Sequence, residues 1–375
     1  MPHRNSIQLK DLLIRLVVIE LILGGSGYLF NVAGISLRQI LFALVCLSLV
    51  ITAYKNKIVI DRKDDVLILF LMYIVLELLI SFMRSNDGKN ALDSFAGYLP
   101  YILCLFFEMY FRRIDQKKFN SIIHLIENLT LAISFVACLI WVFCLINGPS
   151  VYFLVQGEWL DRFNFGSLAY IGVIPRLVLK GCLFSIVGFF LTMRRVVDKI
   201  QKKTYLLSVK LVIYVLSILL TFSLGWYLAT TIGFFVLMIK GSNKRNRNRL
   251  LLALLSVLVL VPAIASLLDV SAVIQERFSG DYSTSYKVTQ ALALLKEWLG
   301  APLFGKGFGY TMSIDYSYEL RESYQFEVMW LELLMNTGII GFGLLATHLI
   351  LTLKKLFLRY ERYADTVSFC FAIWC

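Results

Sequence analysis

Residues 65–83 read DVLILFLMYIVLELLISFM, and only Asp65 and Glu77 in that stretch carry charge. Apolar and polar residues do not alternate along it, which argues against a barrel strand. As a helix it rises roughly 28 Å, close to the thickness of a bilayer's hydrocarbon core. Nine further windows share this character: 12–30, 36–54, 94–111, 122–146, 176–193, 205–222, 224–240, 250–268 and 328–353. Another apolar run begins at Thr366 and stops at Cys375. Ten residues cover only about half a bilayer, so the chain ends inside what reads as an eleventh span, truncated or folded back.

Composition agrees with this reading. Of 375 residues, 59% are hydrophobic and 17% charged, against about 25% charged for a soluble domain. Mean hydropathy is +0.75. These values exclude a soluble domain, a disordered chain and a secreted disulfide scaffold. The expected fold is all-α: a polytopic integral membrane protein with about ten complete transmembrane helices and a partial eleventh. The whole of 1–375 reads as one membrane domain. The basic, then apolar, N-terminus shows no small-residue cleavage site, so 12–30 reads as a retained helix. All seven cysteines lie in apolar runs without metal-site spacing and read as small buried hydrophobes.

The net charge of +12 reflects cytoplasmic loops rather than nucleic-acid binding. With the N-terminus placed inside, the N-terminal segment and the even-numbered connections together hold 24 basic residues and the short outside connections hold four, namely Arg38, Arg84, Lys89 and Arg162. That asymmetry sets the orientation. One outside connection, 269–327, is long, and long loops in compact proteins are usually functional. Within it Ser283 to Leu299 places Val288, Ala291, Leu292, Leu295 and Leu299 at helical spacing. Gly300 and Pro302 supply stop signals. The helix lies flat on the membrane, walls a site opening outward, or does both.

Charges inside a bilayer are costly and point to function. Arg15 and Lys210 sit about one turn from cytoplasmic ends, where snorkelling accounts for them. Arg176 and Lys180 follow Pro175 at a spacing of four. On a helix opening at Pro175 they share a face with free N–H groups and the positive dipole end. That is a site for phosphate or diphosphate. Glu20, Glu77, Glu108 and Glu332 are the acidic residues picked out within spans; each pairs with a cation or serves chemistry. A proton or ion pathway would also need such carboxylates, which keeps a secondary transporter in view. Gly305-Lys306-Gly307-Phe308-Gly309 lacks the Lys-Ser/Thr pair of a P-loop. Its glycines at alternate positions suit a tight turn or a close backbone approach to a ligand.

The run from Pro302 to Gly309, and Trp330-Leu331-Glu332-Leu333-Leu334-Met335-Asn336-Thr337-Gly338-Ile339-Ile340-Gly341, together resemble the O-antigen polymerase and O-antigen ligase superfamily. In that family a "PL-G-G-G" turn in the long outer loop precedes a helix carrying a "TG-IIG" motif. Residues 277–343 carry the resemblance; Pro175-Arg176 looks like the family's membrane-edge arginine. The resemblance implies an inverting, metal-independent glycosyltransferase with no cofactor. Its substrate is undecaprenyl-diphosphate-linked glycan at the outer face of the bacterial cytoplasmic membrane. It also implies a flippase and a chain-length regulator as neighbours, and O-antigen, capsule or exopolysaccharide as product. Ligase-like members carry a His eleven residues before the first Gly of the final motif. Here that position is Glu327, followed by Val328, and His3, His124 and His348 all lie outside the outer loops. The departure favours polymerase over ligase.

On this reading Glu327 takes the proton of the attacking hydroxyl. Arg176, Lys180, Arg277 and Arg321 meet the diphosphate. Lys306, Gly307, Gly309, Tyr324 and Glu332 line the substrate loop. A lipid-linked-glycan flippase or transporter remains the rival of another class. It calls for two related halves around a mid-membrane site, and the sequence shows no repeat.

Overall fold

The computed structural model describes residues 2–24, 31–32, 35–55, 62–111, 114–162, 164–171, 174–198, 204–240, 283–315 and 320–363. The expected span at 250–268, the run after Thr366 and Arg277 lie outside the described residues. In chain order the elements are α1 (Pro2–Leu23), β1 (Asn31–Val32), β2 (Ile35–Ser36), α2 (Leu37–Lys55), α3 (Arg62–Met83), α4 (Gly88–Ala96), α5 (Tyr101–Phe111) and α6 (Gln116–Asn147). After a π-helical segment at Leu154–Asp161 come β3 (Gly166–Ile171), β4 (Ile174–Leu179), a 3-10 turn at Lys180–Phe184, α7 (Ser185–Asp198), α8 (Thr204–Leu219) and α9 (Leu224–Lys240). The described chain resumes with α10 (Ser283–Leu299), β5 (Met312–Asp315), β6 (Leu320–Ser323) and α11 (Met329–Tyr363).

The protein is mostly helical. Four described helical stretches are long and apolar enough to cross a membrane: Asp64–Met83, Gly88–Phe107, Gln116–Val151 and Met329–Lys354. Shorter apolar helices cover Leu37–Thr52, Lys180–Met193 and Tyr205–Leu219. Each of these seven falls on an expected window.

The burial pattern of α3 fits a lipid environment. Leu67, Phe70, Tyr73, Ile74, Glu77 and Ser81 are buried at helical spacing, while Leu69, Met72, Leu76, Leu79 and Met83 are exposed on the opposite side. The exposed side is as apolar as a core, and the polar groups face inward. A helix apolar all round belongs in a core or a membrane. The long helix α6 repeats the pattern, with Glu127, Thr130 and Ser134 inward and Phe135, Leu139 and Val142 outward.

The chain forms two compact units. The first comprises Met1–Ser48, Tyr110–Val273 and Lys355–Cys375; the second comprises Leu49–Met109 and Ile274–Lys354. In the first, α6 starts at Asp115, whose carboxylate accepts from the Lys118 amide at 2.7 Å, and ends at Gly148 with φ 65°. Its polar interior is paired. Ser134 and Ser185 share a 2.6 Å hydrogen bond, as do Thr130 and Tyr214 at 3.1 Å. Glu127 is a buried carboxylate that the sequence reading passed over. Arg195 reaches it at 2.9 Å and Lys210 at 3.8 Å. Lys210, read as snorkelling, therefore has an inward partner. Glu20 pairs with Arg38, whose Nε reaches both carboxylate oxygens, at 3.1 and 2.9 Å.

The helix expected to open at Pro175 does not. Residues 174–179 form β4 instead, antiparallel to β3, with Tyr170 opposite Pro175 and Ala169 opposite Arg176. In a two-stranded ribbon both strands are edges, and an edge tolerates a proline. α7 begins only at Ser185. Arg176 thus lies on a strand, without the helix N-terminus that the anion argument placed around it, while Lys180 opens the 3-10 turn that leads into α7.

In the second unit the core joins Leu67, Phe70 and Ile74 of α3 to Ala91, Tyr98, Phe308, Leu333 and Leu345. Phe308, inside the glycine-rich run, is fully buried and packs on Phe95 and Tyr98. A smaller cluster of Leu294, Met312, Ile314, Phe326 and Met335 ties α10 and the β5–β6 hairpin to α11. Helix α10 has the bounds its apolar spacing predicts, Ser283 to Leu299.

Candidate functional site

The second unit holds the two motif segments, and it brings them together through their backbones. Gly305, Gly307 and Gly309 have φ values of 74°, 88° and 72°. Glycine adopts these angles without the steric penalty other residues meet. The run's amides end on α11: Lys306 N–H donates to the Met335 carbonyl at 2.7 Å and Gly307 N–H to the Asn336 carbonyl at 3.0 Å. In return Ile339 N–H donates to the Pro302 carbonyl at 2.9 Å.

This exchange is possible because α11 breaks at Gly338, where φ is 65° and ψ −170°. The break frees backbone groups that a continuous helix would pair, and inside a membrane each needs a partner. The glycine-rich turn supplies them. Tyr73 adds a hydroxyl donated to the Thr337 carbonyl at 2.8 Å. The close approach foreseen at the glycines is therefore to the protein itself. A Cβ at Gly307 would lie 2.6 Å from Ser81 Oγ, and one at Gly309 would run into the Ala91 backbone.

The end of α3 and the residues after it hold the turn from the other side. Asn86 Nδ2 donates to the Lys306 and Phe308 carbonyls at 3.2 and 2.9 Å, and Phe308 N–H donates to Ser81 Oγ at 2.7 Å. Arg84 donates to the Gly305 carbonyl at 2.9 Å and pairs with the fully buried Glu77 at 3.2 Å. Sequence reading counted Arg84 only as a loop charge. Arg84→Ala is expected to destabilise the protein by up to about 3 kcal/mol, because it strands the Glu77 carboxylate. Adding Glu77→Gln should recover part of the loss, and thermal unfolding of the detergent-solubilised variants reads both.

Glu327 lies between this clamp and α10, two residues before α11. Its carboxylate is 58% exposed and 3.5 Å from Lys287. An exposed pair of this kind is weak, so both groups are available to a ligand. The backbone there is held more firmly. Glu327 N–H donates to Gln290 Oε1 at 3.1 Å, and Phe326 N–H donates to Glu332 Oε2 at 3.1 Å. Glu332, foreseen with a cation or in chemistry, here accepts from the main chain. Sequence reading missed Lys287 and Gln290, since a Lys and a Gln on an amphipathic helix look like its solvated face.

Lys306 Nζ is 3.2 Å from Glu297 and lies over the Tyr310 ring, 5.3 Å from its centre. The Tyr310 hydroxyl donates to the same carboxylate at 2.9 Å. Burial pushes the Glu297 carboxyl up, but the hydrogen bonds from Tyr310 and Lys306 outweigh it, and its pKa falls below the usual value. Burial and the adjacent Glu297 push the Tyr310 phenol up. The sign for Glu297 is fixed: a depressed carboxylate stabilises above its unfolded pKa, and that contribution disappears as pH falls through its folded value. Glu297→Gln should therefore lower the melting temperature at neutral pH and flatten the acid limb of its profile, with the two proteins converging at low pH. Tyr324 donates to Asp93 at 3.4 Å.

The remaining foreseen residues are divided between the two units. The Arg321 backbone pairs with Ile314 across the β5–β6 ribbon. Arg176 and Lys180 belong to the first unit. Arg176 Nε donates to the Thr221 carbonyl at 2.9 Å, and Lys180 Nζ to Asn164 Oδ1 at 2.6 Å.

Comparison with known proteins bears on these motifs. A family model described as O-antigen ligase matches residues 209–346, which include the turn, Glu327 and the break in α11. The resemblance to the O-antigen polymerase and ligase superfamily holds. Over 371 residues the chain is 27% identical to an O-antigen polymerase of Shigella flexneri, covering 96% of this chain and 86% of that protein. No solved structure matches the chain. The similarity to an O-antigen polymerase thus runs nearly end to end, while the superfamily's motif segments are the ones the structure interlocks.

Proposed function

We propose that the protein is a membrane glycosyltransferase that polymerises undecaprenyl-diphosphate-linked repeat units at the outer face of the bacterial cytoplasmic membrane. Its N-terminus is cytoplasmic, and its product is O-antigen, capsule or exopolysaccharide. The observation that carries the reading is Glu327. It is an exposed carboxylate on a firmly held backbone, at the position where ligase-like relatives carry a His. The polymerase relative along 96% of the chain points the same way.

The chemistry is inverting, metal-independent and balanced. A sugar hydroxyl of the acceptor attacks the anomeric carbon of the donor. The new carbon–oxygen bond forms as the bond to the diphosphate breaks, and the lipid diphosphate leaves with the electron pair. Glu327 takes the hydroxyl proton. Arg176, Lys180, Arg277 and Arg321 are proposed to meet the diphosphate, where cations stabilise growing negative charge. Lys306, Gly307, Gly309 and Tyr324 form or shape the loop beside the glycan. A flippase delivers the substrate, and a chain-length regulator shares the membrane.

Arg176→Ala in a strain with no other copy tests this, with glycan separated as a ladder and protein abundance matched. The expected result is a ladder reduced to the single repeat. An unchanged ladder removes Arg176 from the site. Loss of even the single repeat points to transport of the lipid-linked unit and overturns the polymerase reading.

A further inference from the structure

Two consecutive backbone amides just before α11 end on side chains from elsewhere. Phe326 N–H goes to Glu332 and Glu327 N–H goes to Gln290, each at 3.1 Å. Gln290 is only 2% exposed on α10, and Glu332 lies in the first turn of α11. The Phe326 side chain is itself buried beside Leu294, Met312, Ile314 and Met335. The backbone at Glu327 is therefore pinned from two helices and from the core, while its carboxylate stays exposed. A carboxylate open to solvent on a fixed main chain is the arrangement a positioned proton acceptor requires. Misplacement of a catalytic group by about 1 Å can cost about a hundredfold in rate.

We infer that Gln290 and Glu332 are positioning residues for Glu327: their side-chain oxygens fix the 326–327 backbone and so aim the carboxylate at the acceptor hydroxyl. Neither touches substrate. The inference rests on the reading of Glu327 as the base. What the device requires of each side chain is an acceptor oxygen, and it requires no charge. Glu332→Gln keeps that oxygen. Glu332→Leu and Gln290→Leu remove it at similar volume.

The test measures polymerisation in membrane vesicles supplied with the cell's own lipid-linked repeat unit, at matched protein abundance. Glu332→Leu and Gln290→Leu are expected to lose about tenfold or more in rate, and Glu332→Gln to stay within about threefold of the parent. In a Glu327→Gln background neither Leu substitution should lower the rate further, because residues acting through one group are non-additive. Glu332→Gln as inactive as Glu332→Leu would show that the charge acts directly and overturn the inference. So would Leu losses that multiply with the Glu327→Gln loss, as general structural damage does. A parental rate from Glu327→Gln alone would instead remove the base assignment beneath it.

Discussion

In cells carrying only Glu327→Gln, the long glycan ladder is expected to collapse to the single repeat, with protein abundance unchanged. A positioned general base is worth about 10²–10⁴ in rate, and a ladder reports polymerisation repeated many times, so a loss of that size removes the long products first. The abundance should hold because the side chain is 58% exposed and, among the described residues, makes a weak pair with Lys287. The amide bonds that order this segment come from the backbone and survive the substitution. Glu327→His should retain part of the ladder, since an imidazole can take the same proton and ligase-like relatives carry His at this position. A full ladder from Glu327→Gln would move the base elsewhere. Lost abundance would make the residue structural.

Why Glu327 but not its supports could be read from the sequence follows from what each kind of signal depends on. Helix α10 was legible because Val288, Ala291, Leu292, Leu295 and Leu299 repeat at helical spacing and Gly300 stops the run. The window at 65–83 was legible because lipid demands a long apolar helix and little else. The glycine-rich turn announced a tight turn, but nothing local said that its amides would close on a break in α11. That pairing joins residues some thirty positions apart. Pro175 was misread because its two roles look alike along the chain: it opens a helix as readily as it sits on an edge strand. Only the pairing of 174–179 with 166–171 separates them. Arg84 reads as a charge on one side of the membrane and Lys210 as a snorkelling side chain, and neither rule says which carboxylate the cation reaches.

Gly338→Ala is expected to be among the most damaging single substitutions in the chain, and the reason lies wholly in the backbone. Gly338 has φ 65° and ψ −170°, a region that is essentially glycine's alone and costs other residues about 1–3 kcal/mol. A methyl there would also run into the Leu303 carbonyl and the Gly305 amide nitrogen, which lies 2.6 Å from its ideal position. To escape, α11 would have to turn helical through 338. That would withdraw the carbonyls of Met335 and Asn336 from Lys306 and Gly307, and the Ile339 amide from Pro302. The glycine-rich turn would then present donors with no acceptor, in surroundings where each such group is costly. Together these losses put the expected destabilisation at about 3 kcal/mol or more. Thermal unfolding in detergent should show it as a large drop in melting temperature or as failure to accumulate. Gly343 provides the control. It lies on the same helix, and a Cβ there meets nothing within 4 Å. Gly343→Ala should therefore be neutral or stabilising by up to about 1 kcal/mol, since alanine favours the helix. If both substitutions behaved alike, the break in α11 would not be what holds the turn. If only Gly338→Ala fails, the two motif segments form one device, in which the first exists to complete the backbone that the second leaves open.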